Sequence, residues 1–377
     1  MQRFVRIYLV PGAVLQSVMI GGGYGTGREV VEYFTRFGIG GGLAGIALAA
    51  VAIAAVFAGS LEISRRFAAY DYRSFFQALL GPFWFLYELL VLVLFLLVIA
   101  VIGAAAGEIL RTELGLDPAF GAVTVLVVVV VLTFFGREFV TRVLTVWSLV
   151  LYVVFLVYLG AVVHAFGEPL GAQLAAAERL PGWPTAALQY AFYNVTAIPV
   201  ILYAARAVET PRQACLSGIV GAAIGILPAL FLHLSFAARY PEILEAELPV
   251  YEMFAAVGSP LLKAAYLVVL VGTFVETGAG NIQGFLERLD AWWSERTGGV
   301  LGRGTHALVT VVALALAGSL SALGIVALVA RGYGTLAWGF LAVYVVPLAT
   351  VGVRRILRGE GRAGPARPAD PADHMAQ

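Results

Sequence analysis

The sequence predicts an all-α membrane protein of about ten transmembrane helices. Three observations predict it: an apolar composition, the regular spacing of apolar runs, and an uneven placement of basic residues. Of 377 residues, 61% are hydrophobic and only 12% charged, with a mean hydropathy of +0.91. A soluble domain is roughly half apolar and about a quarter charged. This chain therefore carries more apolar surface than a water-facing fold can hide, and lipid must cover part of it. At about 20 residues per span, the length leaves room for roughly ten.

Apolar runs bounded by charges, glycines and prolines fall at 8–36, 39–64, 82–111, 119–135, 140–166, 184–207, 213–238, 260–290, 305–329 and 333–353. The last boundary is placed at Arg331-Gly332-Tyr333-Gly334, with Gly324 as the alternative break. Arg3 and Arg6 precede the first run with no plausible cleavage site, so the N-terminus reads as the start of that span rather than a secretory signal. With that end in the cytoplasm, alternate loops collect seventeen basic residues inside and six outside, the asymmetry expected of a protein with both termini cytoplasmic. The expected location is a bacterial inner membrane, with lipid as an obligatory partner. Between spans, Asp71–Leu80 reads as a short cytoplasmic helix and Pro241–Gly258 as an amphipathic outer helix or pair of helices. Residues 1–358 form one transmembrane domain of two halves, about 8–166 and 184–355. The Pro/Ala/Gly-rich tail 359–377 is expected to be disordered and cytoplasmic.

The rest of the composition excludes several functions. Cys215 is the single cysteine, so no intramolecular disulfide forms. His164, His233, His306 and His374 show no metal-ligand spacing, and His233 reads as a packed, hydrogen-bonded histidine. The chain has no H-E-x-x-H, no paired aspartates and no G-x-S-x-G with partners, so neither an enzyme nor a resident metal or cofactor is expected. No nucleic-acid partner is expected, and the sequence leaves open a monomer or a homo-oligomer.

Chemistry concentrates where helices should fail. Gly21-Gly22-Gly23-Tyr24-Gly25-Thr26-Gly27 puts five glycines into seven residues of the first span, each costing about 1 kcal/mol relative to alanine in a helix. Unwound backbone at membrane depth survives only where it lines a protein-enclosed or aqueous cavity. Its freed amides and carbonyls would hold a solute, and the half-helix starting near Arg28 would aim its positive end at a carboxylate. A small-residue packing seam is the plainer alternative. In the sixth span, Phe192-Tyr193-Asn194-Val195-Thr196-Ala197-Ile198-Pro199 carries a helix-breaking proline among polar side chains that suit a ligand. An ordinary proline kink explains it as well. Yet the two segments open the two halves of the chain, and paired discontinuous helices in corresponding positions mark transporter sites.

At these residues the chain resembles the amino acid–polyamine–organocation superfamily, with Gly21, Gly22, Gly23 and Tyr24 on its Gly-rich first-helix signature. More narrowly, residues 21–34 (GGGYGTGREVVEYF) resemble the YkvI-like membrane proteins, as do 324–334 and the last span around Tyr344 and Pro347. The resemblance implies a LeuT-like five-plus-five inverted repeat with helices 1 and 6 discontinuous. It implies alternating access, with substrate held between the first and sixth spans plus the third and eighth. The first helix lacks the Asp-Pro-Gly-Asn of metal-transporting relatives, so a divalent metal is not the expected substrate. The resemblance implies a small organic solute, an amino acid or related zwitterion or carboxylate, moved with H+ or Na+.

Substrate-binding candidates are Gly21, Gly22, Gly23, Tyr24, Gly25 and Thr26, with Phe192, Tyr193, Asn194 and Thr196. Glu276 lies about sixteen residues into the eighth span, where an unpaired carboxylate costs several kcal/mol. With Thr273, Thr277 and Asn281 it forms a polar stripe that can hold sodium or carry a proton. The superfamily's coupling-ion site, between helices 1 and 8, fits either ion. The lysine that replaces sodium in the fifth span of some proton-driven relatives is absent. Arg28, Glu29 and Glu32 read as an outer-mouth salt-bridge group, since Arg28–Glu32 and Glu32–Arg36 are i,i+4 pairs. Glu88 reads as an inner-gate partner for an arginine or as a snorkelling interfacial residue. Trp84, Trp147, Trp292 and Trp338 fit an interfacial aromatic belt. The competing function is a ligand-sensing receptor on the same fold, which binds without turnover.

Overall fold

The computed structural model describes residues 2–134, 137–299 and 301–361. They are helical almost throughout, and the protein is an all-α integral membrane protein. Eight helices among them are long and apolar enough to cross a membrane. The interrupted first segment and the 17-residue helix Pro118–Phe134 lie where the sequence places the first and fourth of its expected ten spans.

The first segment comprises α1 (Val10–Met19), α2 (Gly22–Thr26) and α3 (Arg28–Tyr33). The second span is α4 (Ile39–Phe67), followed by the short α5 (Tyr72–Leu80) that the sequence reading expects, capped by Asp71. Burial disfavours the Asp71 carboxylate, but hydrogen bonds from Ser74 and Arg73 outweigh it and hold the group below the usual range. The third to fifth spans are α6 (Phe85–Leu114), α7 (Pro118–Phe134) and α8 (Arg137–Ala176). The fifth runs ten residues beyond its expected end, past a non-helical Phe166. α9 (Trp183–Asn194) continues as a 3₁₀ helix over Val195–Ala207. α10 (Pro211–Ala237) starts in a Thr210/Gln213 capping box. A 3₁₀ turn, Glu242–Glu245, and α11 (Pro249–Val257) form the expected pair of short helices, and α12 (Pro260–Thr297) and α13 (Arg303–Ser321) follow.

The last boundary needs correction. The final span, α14 (Ile325–Leu357), begins directly after Gly324, which caps its start at a φ of 81°, the preceding helix having ended at Ser321. The Arg331–Gly334 segment lies inside the span, around the π-helical turn Leu328–Tyr333. Its glycines serve packing: a Cβ at Gly332 would sit 2.8 Å from Leu97. Of the tail, residues 359–361 form a turn and 362–377 lie outside the described residues, so the expectation of disorder falls outside them. Trp147 lies outside the residues whose side chains are described.

Small residues bring the first, second and seventh spans together, as membrane helices do when no hydrophobic force drives them. A Cβ on Gly218 would meet the Ala58 amide nitrogen at 2.6 Å, and one on Gly12 would meet the Cα of Gly221 at 2.9 Å. His233 is packed as expected, with Nδ1 2.9 Å from Thr35 Oγ1 and Nε2 3.1 Å from the Ile39 carbonyl. The largest fully buried side chains are aromatic, including Tyr24, Tyr87, Tyr190 and Tyr344. Large apolar side chains on the outer helix faces, such as Val51, Val123, Leu261 and Leu308, are exposed, as lipid contact requires.

Candidate functional site

The break in the first span falls where the glycines predict it. α1 ends at Met19, and Ile20 and Gly21 leave the helical region, Gly21 in an extended conformation. A five-residue turn of helix follows, then Gly27 at φ 81°, a left-handed conformation open to glycine at little cost. A Cβ there would also lie 2.5 Å from Phe236 and 2.7 Å from Val250, so both conformation and space require glycine. The new helix starts at Arg28 as expected.

The freed backbone is less available than the sequence implies. Thr26 Oγ1 donates to the Gly23 carbonyl at 2.7 Å, and the Tyr266 hydroxyl donates to the Gly25 carbonyl at 3.0 Å. The sixth span stays helical but leaves the α-helix after Asn194. From Val195 it tightens into a 3₁₀ helix that carries Pro199, with Thr196 Oγ1 donating to the Tyr193 carbonyl at 2.6 Å. The expected second discontinuity is therefore a change of helix type.

A cavity of about 140 Å³ lies between the first, third, sixth and eighth spans and the start of the tenth. Of the substrate-binding candidates, Gly21, Tyr193, Asn194 and Thr196 line it. Gly23, Tyr24, Gly25, Thr26 and Phe192 do not; Tyr24 and Thr26 are wholly buried in the packing behind the break. The surroundings of Gly22 lie outside the description. Of the coupling-ion stripe, Thr277 and Asn281 line the cavity, whereas Thr273 and Glu276 do not. Thr273 is buried and bonded to the Val269 carbonyl. Glu276 is half-buried on another flank of α12.

The largest correction concerns Glu29. It lines the cavity rather than the outer salt-bridge group, is 3% exposed, and accepts a hydrogen bond from the Tyr193 hydroxyl. A Cβ on Gly23 would collide with its carboxylate, so that glycine makes room for the acid. Arg28 and Glu32 do pair, at 3.2 Å, and Glu32 also pairs with Arg36. Arg28 further donates to the carbonyls of Leu244 and Ala246, each at 2.9 Å, tying the half-helix to the segment between the seventh and eighth spans. Glu88 pairs with Arg288 at 2.6 Å, the arginine partner the sequence reading offered it, and the guanidinium lies 4.0 Å from the Tyr72 ring centre. Arg288 lines both the central cavity and a wider recess of about 560 Å³ beyond the pair.

The sequence reading missed Tyr87, Tyr333 and Arg288 as lining residues. Tyr333 stacks on Tyr193 with ring centres 4.9 Å apart, and the Tyr33 hydroxyl donates to the Val329 carbonyl at 2.9 Å. For Arg288 there was a signal, since Glu88 needs a cation; for the tyrosines there was none. Among the described residues, no group of three or more His, Cys, Asp or Glu side chains is placed to hold a metal ion.

No protein-family model matches the chain, and no curated protein matches it. Solved structures do. A Na+-coupled sialic acid symporter in a substrate-bound outward-open state, described as revealing a novel Na+ site, matches over 91% of this chain and 79% of its own. That match has a TM-score of 0.61 and 13% identity. A point mutant of the Eremococcus coleocola manganese transporter matches over 92% and 79%, with a TM-score of 0.59 and 13% identity. The same transporter with an aromatic bis-isothiourea substituted compound matches over 94% and 96%, at 0.52 and 11%. At such identities the likeness is one of fold: an all-α membrane-transporter architecture.

Proposed function

We propose that this chain is a secondary transporter that carries a small organic solute, an amino acid or related zwitterion, by alternating access. The observation that carries the reading is a small cavity at the helix break, apolar and aromatic with a few polar groups, with a charged contact toward each end. Toward one end lies the seal of Arg28 on the Leu244 and Ala246 carbonyls; toward the other lies the Glu88–Arg288 pair. The basic-residue asymmetry makes the first the outer closure and the second the inner one. Opening them in turn would expose the same cavity to either side of the membrane. The transporter fold of the structural neighbours supports this reading.

Gly21, Tyr193, Asn194 and Thr196 are the substrate contacts in this scheme. The coupling ion is H+ or Na+. Glu276, a half-buried carboxylate for which the structure gives no hydrogen-bond or ion-pair partner among the described residues, is the proton carrier. Thr277 and Asn281 are the sodium-side alternative. The five-plus-five inverted repeat, the cytoplasmic termini and the bacterial inner membrane belong to the same proposal.

The test is uptake by purified protein in liposomes under imposed proton or sodium gradients, with a panel of labelled amino acids and related solutes. Gradient-dependent accumulation is the expected result. Specific binding with no flux under any gradient would overturn transport and identify a receptor.

A further inference from the structure

The charges around the cavity do not balance. Arg288 is offset by Glu88, and Arg28 by Glu32 and two carbonyls. Glu29 has one hydrogen bond, from Tyr193, and among the described residues no cationic side chain lies within 4 Å of it. A carboxylate removed from water is stable only when paired, hydrogen-bonded or neutralised. In its ionised form Glu29 therefore leaves the cavity short of one positive charge.

The remaining polar groups point to the same missing partner. Asn194 gives its amide nitrogen to the Tyr190 carbonyl at 3.0 Å, and Asn281 gives its own to the Thr277 carbonyl at 2.7 Å. With one N–H of each amide spent on a backbone carbonyl, both side chains keep their oxygen as an acceptor, beside one remaining N–H. Both residues line the cavity. Around Glu29 the walls are aromatic: Tyr193 stacks on Tyr333, and Tyr33 lies 5.7 Å from Tyr193 between ring centres. Ring faces and acceptor oxygens suit an ammonium group, which donates several hydrogen bonds and is attracted to π-systems. A bare sodium ion wants a shell of oxygens, and the one oxygen bonded to the Glu29 carboxylate is the Tyr193 hydroxyl.

We propose that the central cavity recognises its solute through an ammonium group, with Glu29 as the counter-charge and the rings of Tyr193 and Tyr333 flanking it. This rests on the reading of the cavity as the solute site. It reverses the polarity expected from the sequence, in which the half-helix holds a substrate carboxylate. The half-helix is six residues long and carries Glu29 in its first turn, so the protein's own acid occupies that end. A primary amine or an amino acid satisfies the site, and a simple carboxylic acid does not. The volume of about 140 Å³ fits a solute with a short chain.

The experiment compares three probes on one carbon skeleton, n-propylamine, L-alanine and propionate. Binding to detergent-purified protein in amine-free potassium phosphate is measured by thermal stabilisation and calorimetry. Propylamine and alanine are expected to bind and propionate to be silent. Glu29→Gln is expected to weaken amine binding by at least about tenfold, as loss of a buried charge partner does, and Glu29→Asp to retain part of it. If Glu29→Gln fails to fold, Tyr333→Leu and the wild-type probe comparison still decide. Propionate binding as well as alanine, no binding by either amine, or amine binding indifferent to Glu29 would each overturn the assignment. So would sodium chloride alone producing the whole Glu29-dependent stabilisation. Amine binding without liposome flux would remove the transport reading and leave this one standing.

Discussion

Glu29 and Glu276 are both carboxylates within the apolar part of the bundle, and their surroundings differ in kind. Glu29 is nearly fully buried, takes a hydrogen bond from Tyr193, and faces a cavity walled by tyrosines. Glu276 sits half-exposed on the flank of α12, outside that cavity. Their partners in sequence make the contrast sharper. Thr277, one residue beyond Glu276, lines the cavity, and one residue turns a helix by about 100°. Depth in the membrane is a matter of counting along the chain; which side of a helix meets the solute is a matter of what packs around it. Two acids in one apolar bundle can thus belong to different steps, one to holding the solute and one to moving the ion.

The comparison can be broken most decisively by neutralising each acid in turn. Glu276→Gln is expected to abolish gradient-driven accumulation in liposomes while leaving ligand-induced thermal stabilisation intact, whereas Glu29→Gln is expected to remove the stabilisation itself. Equal loss of both readouts in both variants would erase the distinction. The next largest effect is steric. Gly23→Val drives a side chain into the Glu29 carboxylate and is expected to cost about 2 kcal/mol of ligand affinity by calorimetry. Gly280→Val, on the open flank of α12 where a Cβ meets nothing within 4 Å, is expected to leave affinity unchanged. Tyr193→Phe removes the hydroxyl donor to Glu29 and is expected to weaken binding by about 1.5 kcal/mol, the lower range for a hydrogen bond to a charged group. The smallest expected effect is that of Glu88→Gln. It frees Arg288 beside the cavity and is expected to reduce stability by roughly 1 kcal/mol, discounted because both partners touch solvent, with ligand affinity changed by less than the Tyr193 variant.

Much of the fold was legible because membrane spans are limited by length and by charge placement. The first break was legible because glycines at that density oppose a helix, and Gly27 adopts a left-handed φ. The sixth span misled because a proline removes an amide donor without dictating the remedy. Here the chain tightens to 3₁₀ rather than opening. The ninth-to-tenth boundary misled because Gly332 and Gly334, which look like turn residues, provide room for Leu97 and Gln189. In the site, Arg28–Glu32 was visible as an i,i+4 pair, and adjacency suggested that Glu29 shared it. Its true partner, Tyr193, is 164 residues away. Tyr87, Tyr333 and Arg288 carry no local signature, because an enclosed wall exists only after distant spans assemble.

The contact between Arg28 and the segment after the seventh span bears on how the protein tolerates change. The guanidinium is held by the main-chain oxygens of Leu244 and Ala246, which every residue type possesses. Substituting either position leaves the acceptors in place, and what limits the side chains there is packing, since Ile243, Ala246 and Leu248 are buried. Altering the segment's length is a different matter, since a deletion displaces the two oxygens from the single guanidinium nitrogen that donates to both. Engineering access from that face therefore calls for resizing the connection, not repainting it.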